Sequence, residues 1–333
     1  MFRIAAVLAA ALSLLSAYPT RAAEPYGIGL EGFAYPYPVS LLTLPSDNEA
    51  LRMAYMDVKP QGAGNGRTIL LLHGRNFPSS YWEPTIKALA GAGYRVVVPD
   101  QVGFGKSSKP VSALSFDLLA RHTVALLDSL QLPRVDIVAH SMGGMLAVRL
   151  ARSYPDRISR ILLEAPIGLE DYRSFVPPTE TDRIMADEDR LDGEAYRRQL
   201  VTNYSLTLPP QAITPFIEAR MRIKGSADYP RWLRAFVNSY QMIWGQPVVY
   251  EMPSLKQPVL FVMGANDHNA PGRAYAPMEV RARMGENAKL AQDIAARMPN
   301  AKAQVFDGIG HVVHLEALER FNRSMLEFLA APQ

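Results

Sequence analysis

Five short apolar runs, at residues 68–72, 94–98, 135–139, 158–163 and 258–263, alternate with segments long enough for helices, and this narrows the possible folds most. A bounded apolar run of about four to eight residues reads as a strand covered on both faces. Helical periodicity at 81–92, 116–130, 142–154 and 315–330 supplies the covering layers. Parallel neighbours need a crossover of a dozen or so residues, so the spacing predicts a mostly parallel sheet with helices on both faces. Residues 51–58 alternate apolar and polar side chains, as an edge strand does. The Pro-, Tyr- and Gly-rich stretch 24–48 reads as an extended arm lying on the domain.

The chain has 333 residues, of which 48% are hydrophobic and 20% charged. That composition buries a core and excludes disorder, collagen and coiled coil. The net charge is +3 and the pI about 9.0, with both signs interspersed and no basic block, so nucleic acid is not an expected partner. Without cysteine there are no disulfides, thiolate metal sites or cysteine nucleophiles. Met1-Phe2-Arg3, the apolar run 4–17 and the small residues Ala22 and Ala23 read as a signal peptide over 1–23. The run is too short to span a bilayer, so a periplasmic or secreted protein with no stable membrane span after cleavage is expected. Its oligomeric state is not legible.

Between 171 and 246 no strand-like run occurs; residues 194–206, 211–223 and 230–243 are helical in pattern. Strand-like runs resume at 258, so this block reads as a helical cap inserted into one sheet. The expected organisation is 1–23 signal peptide, 24–170 first part of the core, 171–246 cap and 247–333 second part of the core.

Ala139-His140-Ser141-Met142-Gly143-Gly144 joins an apolar run to a helical one. A serine on such a turn exposes its hydroxyl above the sheet, at a helix N-terminus that favours developing negative charge. His73-Gly74-Arg75-Asn76 follows the run 68–72, where a second backbone donor is needed. The N–H groups of Arg75 and Met142 are therefore the expected oxyanion hole. Asp100 to Ser107 forms a Gly-rich loop; Asp100 stands where a phosphate loop would need glycine, and no metal-binding histidine spacing occurs. Gly264-Ala265-Asn266-Asp267 and Gly310-His311 follow the last runs, giving the chain order Ser141, Asp267, His311.

With these five motifs in order, residues 45–330 resemble the α/β-hydrolase superfamily, specifically its single-cap bacterial serine hydrolases. The resemblance implies an eight-stranded, mostly parallel sheet, a Ser-His-Asp triad and no cofactor or metal. Branches with an aspartate nucleophile are disfavoured by Ser141. In the expected roles Ser141 attacks, His311 is the general base, and Asp267 holds the imidazole. Glu164, at the end of the run before the cap, is the competing acid, and His314 the competing base. His73 and His140 are expected to support the turns; His122 and His268 receive no role.

The cap contributes Tyr204, Phe216, Met221, Trp232, Phe236, Tyr240, Met242 and Trp244, some of which should line the pocket. The expected substrate is a small hydrophobic ester. Lactone, amide, peracid or C–C chemistry on the same triad is the alternative, and a non-catalytic binding protein a more distant one.

Overall fold

The computed structural model describes residues 24–45 and 49–332. The expected signal peptide lies outside them, and no described helix is long and apolar enough to cross a membrane.

Eight strands form one sheet: β1 (Val39–Leu44), β2 (Leu51–Val58), β3 (Thr68–Leu72), β4 (Arg95–Pro99), β5 (Val135–His140), β6 (Ile158–Glu164), β7 (Val259–Gly264) and β8 (Ala301–Phe306). Their spatial order is β1-β2-β4-β3-β5-β6-β7-β8. The ladders are parallel from β4 through β8, while β2 runs antiparallel to both of its neighbours. Two expectations are corrected here. Residues 39–44 of the supposed arm are strand β1, and β2 is therefore an inner strand rather than the edge. The reason is visible in β1 itself, which pairs along one side only and leaves Leu41 53% exposed, so it carries no clear apolar face to betray it.

The helices between strands are α1 (Glu83–Gly91), α2 (Phe116–Ser129) and α3 (Met142–Ser153). Between β6 and β7 lie α4 (Thr181–Asp189), α5 (Gly193–Tyr204), α6 (Thr214–Lys224) and α7 (Tyr229–Gly245). The chain ends with α8 (Met278–Arg281), α9 (Asn287–Ala295), α10 (Val313–Glu316) and α11 (Leu318–Ala330). Helix α4, short and strongly charged, was not foreseen. Alternation along the inner strands splits the core into two layers, because successive side chains point to opposite faces. Leu70, Ile137, Ile161 and Phe261 pack with residues of α2, α3 and α9. Leu71, Val138, Leu162 and Val262 pack instead with Ile86, Phe321 and Met325 of α1 and α11.

Sheet order reverses direction at β3, whose neighbours are β4 on one side and β5 on the other. The loops leaving β3 and β5 therefore diverge, opening a crevice at their carboxyl ends. Both the His73–Asn76 loop and Ser141 lie on that edge. Gly143 permits the close approach, since a Cβ there would sit 2.4 Å from the Leu72 carbonyl oxygen.

The arm proper, 24–38, links the α4–α7 block to the core. The Tyr26 N–H donates to the Arg222 carbonyl of α6, and Leu30 packs with Ile223, Leu233 and Val237. On the core side, the buried Lys109 ammonium donates to the carbonyls of Ile28, Gly105 and Ser107, and Lys106 to that of Leu30.

His122, on α2, is only 4% exposed and its Nδ1 has no hydrogen-bond partner among the described residues. Burial, aided by Arg121, pulls its pKa down to about 4, against about 6.5 for an ordinary histidine. Below pH 6.5 the unfolded chain takes up a proton that the folded chain refuses, so stability falls as the pH drops from about 6.5 to 4. His122→Leu should lose less of its stability between pH 7 and pH 5 than the wild type, by up to about 2 kcal/mol. Urea midpoints at the two pH values measure this; equal losses in both proteins would remove His122 from the acid response.

Candidate active site

Ser141 begins the turn between β5 and α3 with φ 55° and ψ −118°, a strained conformation for a residue with a Cβ. Its N–H donates to the Glu164 carbonyl, and its own carbonyl accepts from Gly144 N–H. The hydroxyl is thereby held out from the sheet edge. Ser141 Oγ donates to His311 Nε2 at 2.9 Å, and His311 Nδ1 donates to Asp267 Oδ2 at 2.9 Å. The carboxylate thus fixes the tautomer that leaves Nε2 free to accept. All three residues are at most 2% exposed. The other Asp267 oxygen accepts from Asn269 N–H at 3.0 Å, which fixes the carboxylate plane.

Glu164 does not reach His311. Its Oε1 accepts instead from the backbone N–H and Nδ1 of His314, at 2.8 Å each, and the His314 ring stacks on Trp82 with centroids 4.2 Å apart. The two acids therefore serve two different histidines, and both competitors are placed in one separate buried pair.

The Arg75 and Met142 N–H groups make no hydrogen bond to another described residue, and Arg75 and Ser141 share one cavity. The Gly74 N–H donates to Tyr81 OH, which meets His140 Nδ1 at 2.9 Å; His140 Nε2 in turn donates to the His311 carbonyl at 2.9 Å. Burial, with the neighbouring His311 and His314 rings adding to it, holds the His140 imidazole well below its ordinary pKa and therefore neutral, as this chain of bonds requires. His73 is likewise neutral because of burial, donating from Nδ1 to Gly74 O and accepting from Gln101 N–H. Asp100 pins its own loop by accepting from Ser79 N–H, Lys106 N–H and Tyr35 OH.

The cavity has a volume of about 500 Å³. Tyr204 and Tyr240 line it from the α4–α7 block, whereas Phe216, Trp232 and Phe236 line a small neighbouring hollow of about 50 Å³. Trp244 instead ties α7 to the Val176 carbonyl, and neither Met221 nor Met242 lines either space. Besides these aromatic rings, the wall of the cavity carries charge. Arg75, Glu188, Arg220 and Arg273 all face the main cavity. Arg220 is 5% exposed and bonded to Glu188 at 2.6 Å, with Arg75 3.8 Å from the same carboxylate. Arg220 Nη1 has no hydrogen-bond partner among the described residues. Arg75 lies on the loop after β3 and Arg273 on the segment after the acid turn, whereas Arg220 lies on α6, whose periodicity was legible, and Glu188 on the unforeseen α4; nothing in the sequence separated these last two from ordinary surface charges.

Two further residues escaped the sequence reading. Asn269 faces the cavity, with its Nδ2 3.3 Å from His311 Nε2. Glu316 accepts from the N–H groups of Gly310 and Val312, on either side of His311, and from the N–H and hydroxyl of Thr207 beyond α5. Asn269 stands two residues after Asp267, a spacing that could have drawn attention to it; Glu316 offered only its place on a helix.

Residues 67–318 match the family described as alpha/beta hydrolase fold. The chain is 33% identical over 291 residues to a 2-hydroxy-6-oxononadienedioate/2-hydroxy-6-oxononatrienedioate hydrolase of Burkholderia vietnamiensis, covering 85% of this chain and 92% of that protein. It is 28% identical over 276 residues to a 2-hydroxy-6-oxo-6-phenylhexa-2,4-dienoate hydrolase of Burkholderia cepacia, covering 80% and 89%. A crystal structure of a probable hydrolytic enzyme from Pseudomonas aeruginosa is 41% identical, covers 93% of this chain and 99% of its own, and superposes with a TM-score of 0.89.

A hydroxyl, an imidazole and a carboxylate in this line can generate an alkoxide nucleophile at neutral pH. Losing the orienting acid should leave the wrong tautomer, so Asp267→Asn should lower kcat by about 10⁴-fold on any turned-over substrate. Glu164→Gln, which disturbs only the His314 pair, should retain at least about a tenth of the rate. Steady-state kinetics on both variants decide the matter, and the opposite ranking would move the orienting role to Glu164.

Proposed function

Because the chain belongs to the α/β-hydrolase fold family, we propose that it is a serine hydrolase cleaving a carbon–carbon bond beside a ketone in a carboxylate-bearing, conjugated oxo acid. The observation that carries this reading is the buried Arg220, incompletely paired, on the same cavity as Ser141. Two guanidiniums share the one carboxylate of Glu188, so the wall holds excess positive charge at low dielectric, where an anionic substrate group is favoured. The named activities of the relatives from the two Burkholderia species support the same class, since both act on 2-hydroxy-6-oxo acids. The ester reading keeps the triad but gives the cationic wall no task.

In the proposed reaction His311 Nε2 takes the Ser141 proton as Oγ bonds to the ketone carbon, and the resulting oxyanion meets the N–H groups of Arg75 and Met142. Collapse breaks the adjacent C–C bond. Its electron pair delocalises into the conjugated oxo group, toward the Arg220 side of the cavity, and the imidazolium supplies the proton that completes this product. Water then adds to the Ser141 ester, yields its proton to His311, and releases a carboxylic acid. The sum is ketone plus water giving one acid and one protonated carbon fragment.

A panel of 6-oxo-dienoic acids, p-nitrophenyl esters and lactones tests the reading. Turnover of the oxo acids should exceed that of the esters, and Ser141→Ala should lower kcat by about 10⁶-fold. Arg220→Gln should weaken kcat/KM for the carboxylate-bearing substrates by about 100-fold while changing neutral esters far less. Turnover confined to the esters, or equal losses on both classes, would return the protein to ester hydrolysis.

A further inference from the structure

His311 Nε2, carrying one lone pair, faces two donors: Ser141 Oγ at 2.9 Å and Asn269 Nδ2 at 3.3 Å. The second donor is held there deliberately by its backbone. The Asn269 N–H is tied to Asp267 Oδ1 at 3.0 Å, and its carbonyl accepts from the Nδ2 of the buried Asn287 at 2.9 Å. Asn269 is thus fixed to the same carboxylate that orients the imidazole, with its side chain on the cavity.

From this geometry we infer that Asn269 is a positioning residue, which keeps His311 aimed into the cavity during the second half of the reaction. The inference rests on the reading of Ser141 as nucleophile. Once Ser141 is acylated its Oγ has no proton, and the hydrogen bond that held Nε2 in the resting enzyme is gone. Among the described residues the Asn269 amide is then the remaining side-chain donor within hydrogen-bond reach of Nε2. It holds the ring until water arrives. As the water oxygen bonds to the acyl carbon, its proton passes to Nε2, which now donates. Rotation of the amide presents Oδ1 to that N–H, replacing a neutral bond by a charge-assisted one. When the Oγ–carbon bond breaks, the proton goes from Nε2 to Ser141 Oγ and the resting arrangement returns. The amide suits this because it offers a donor and an acceptor at one position; an aliphatic residue offers neither.

Stopped-flow kinetics with p-nitrophenyl acetate separate the two halves, since nitrophenolate leaves on acylation. Asn269→Leu should release its first equivalent at close to the wild-type rate, then turn over about 10-fold more slowly or worse. Intact mass spectrometry should find the acetyl group accumulated on Ser141. Equal slowing of both phases, or no change in either, overturns the inference. Asn269→Asp, nearly the same size, gives a second reading should the leucine variant not fold. A carboxylate facing Nε2 should raise the acid limb of the kcat/KM profile by about one pH unit, and an unmoved limb overturns the inference. Ser141→Ala must show neither burst nor adduct. A burst or an adduct in that variant would instead overturn the reading of Ser141 itself and take this inference down with it.

Discussion

The conformation of Ser141 is the constraint from which the rest of the site follows. A φ of 55° with ψ −118° costs about 1–3 kcal/mol at a residue with a Cβ, and it persists only where the surroundings over-determine it. Here they do so from three directions. The N–H is bonded to the end of β6, the carbonyl accepts from Gly144 and from Ile167 at 3.3 Å, and the absent side chain of Gly143 lets α3 lie against the end of β3. An ordinary strand-to-helix turn would point the hydroxyl along the helix rather than above the sheet.

A strained turn alone would not align three loops that leave three different strands. The bonds from Gly74 through Tyr81 and His140 to the His311 carbonyl do that, running entirely through neutral groups. Neutrality matters because these side chains are almost wholly buried, where an unpaired charge would be costly. The Glu164–His314 pair lies beside it and is closed off by Trp82. The glutamate that a reading of the chain alone left in competition with Asp267 thus has a separate task, bracing the segment that follows His311.

How much of this was legible depended on whether a residue's task is local. Strands β3 to β7 are continuous apolar runs because both faces are covered, so these five were readable within a residue or two, as was the turn at Ser141. Strand β1 was missed because its pattern is set by a single neighbour and open solvent. Helix α4 was missed because only Ile184 of its nine residues is buried, leaving no apolar stripe to follow. Ser141, Asp267 and His311 were identifiable from the turns that carry them, and the structure brings them together. Arg220, Glu188 and Asn269 were not, since their positions acquire meaning only when segments from distant parts of the chain close around one cavity. Of the aromatic residues of the helical block only some were expected to line the pocket, and Tyr204 and Tyr240 do, while the rest are divided between a side hollow and plain packing.

The arm at 24–38 has a consequence for the order of events in folding. Tyr26 and Glu24 meet Arg222, and Leu30 lies among residues of α4, α6 and α7, so the arm contacts chain that lies some 198 residues further along. The sheet ladders around β3, β4 and β5 are far more local, and the entropy of closing a loop grows with its length. On a growing chain the first described residues therefore stay undocked until α6 has been made. Their docking is a late event, in which Lys106 and Lys109 exchange water for the arm's carbonyls. Among the described residues, the segment that is synthesised first is among the last to find its place.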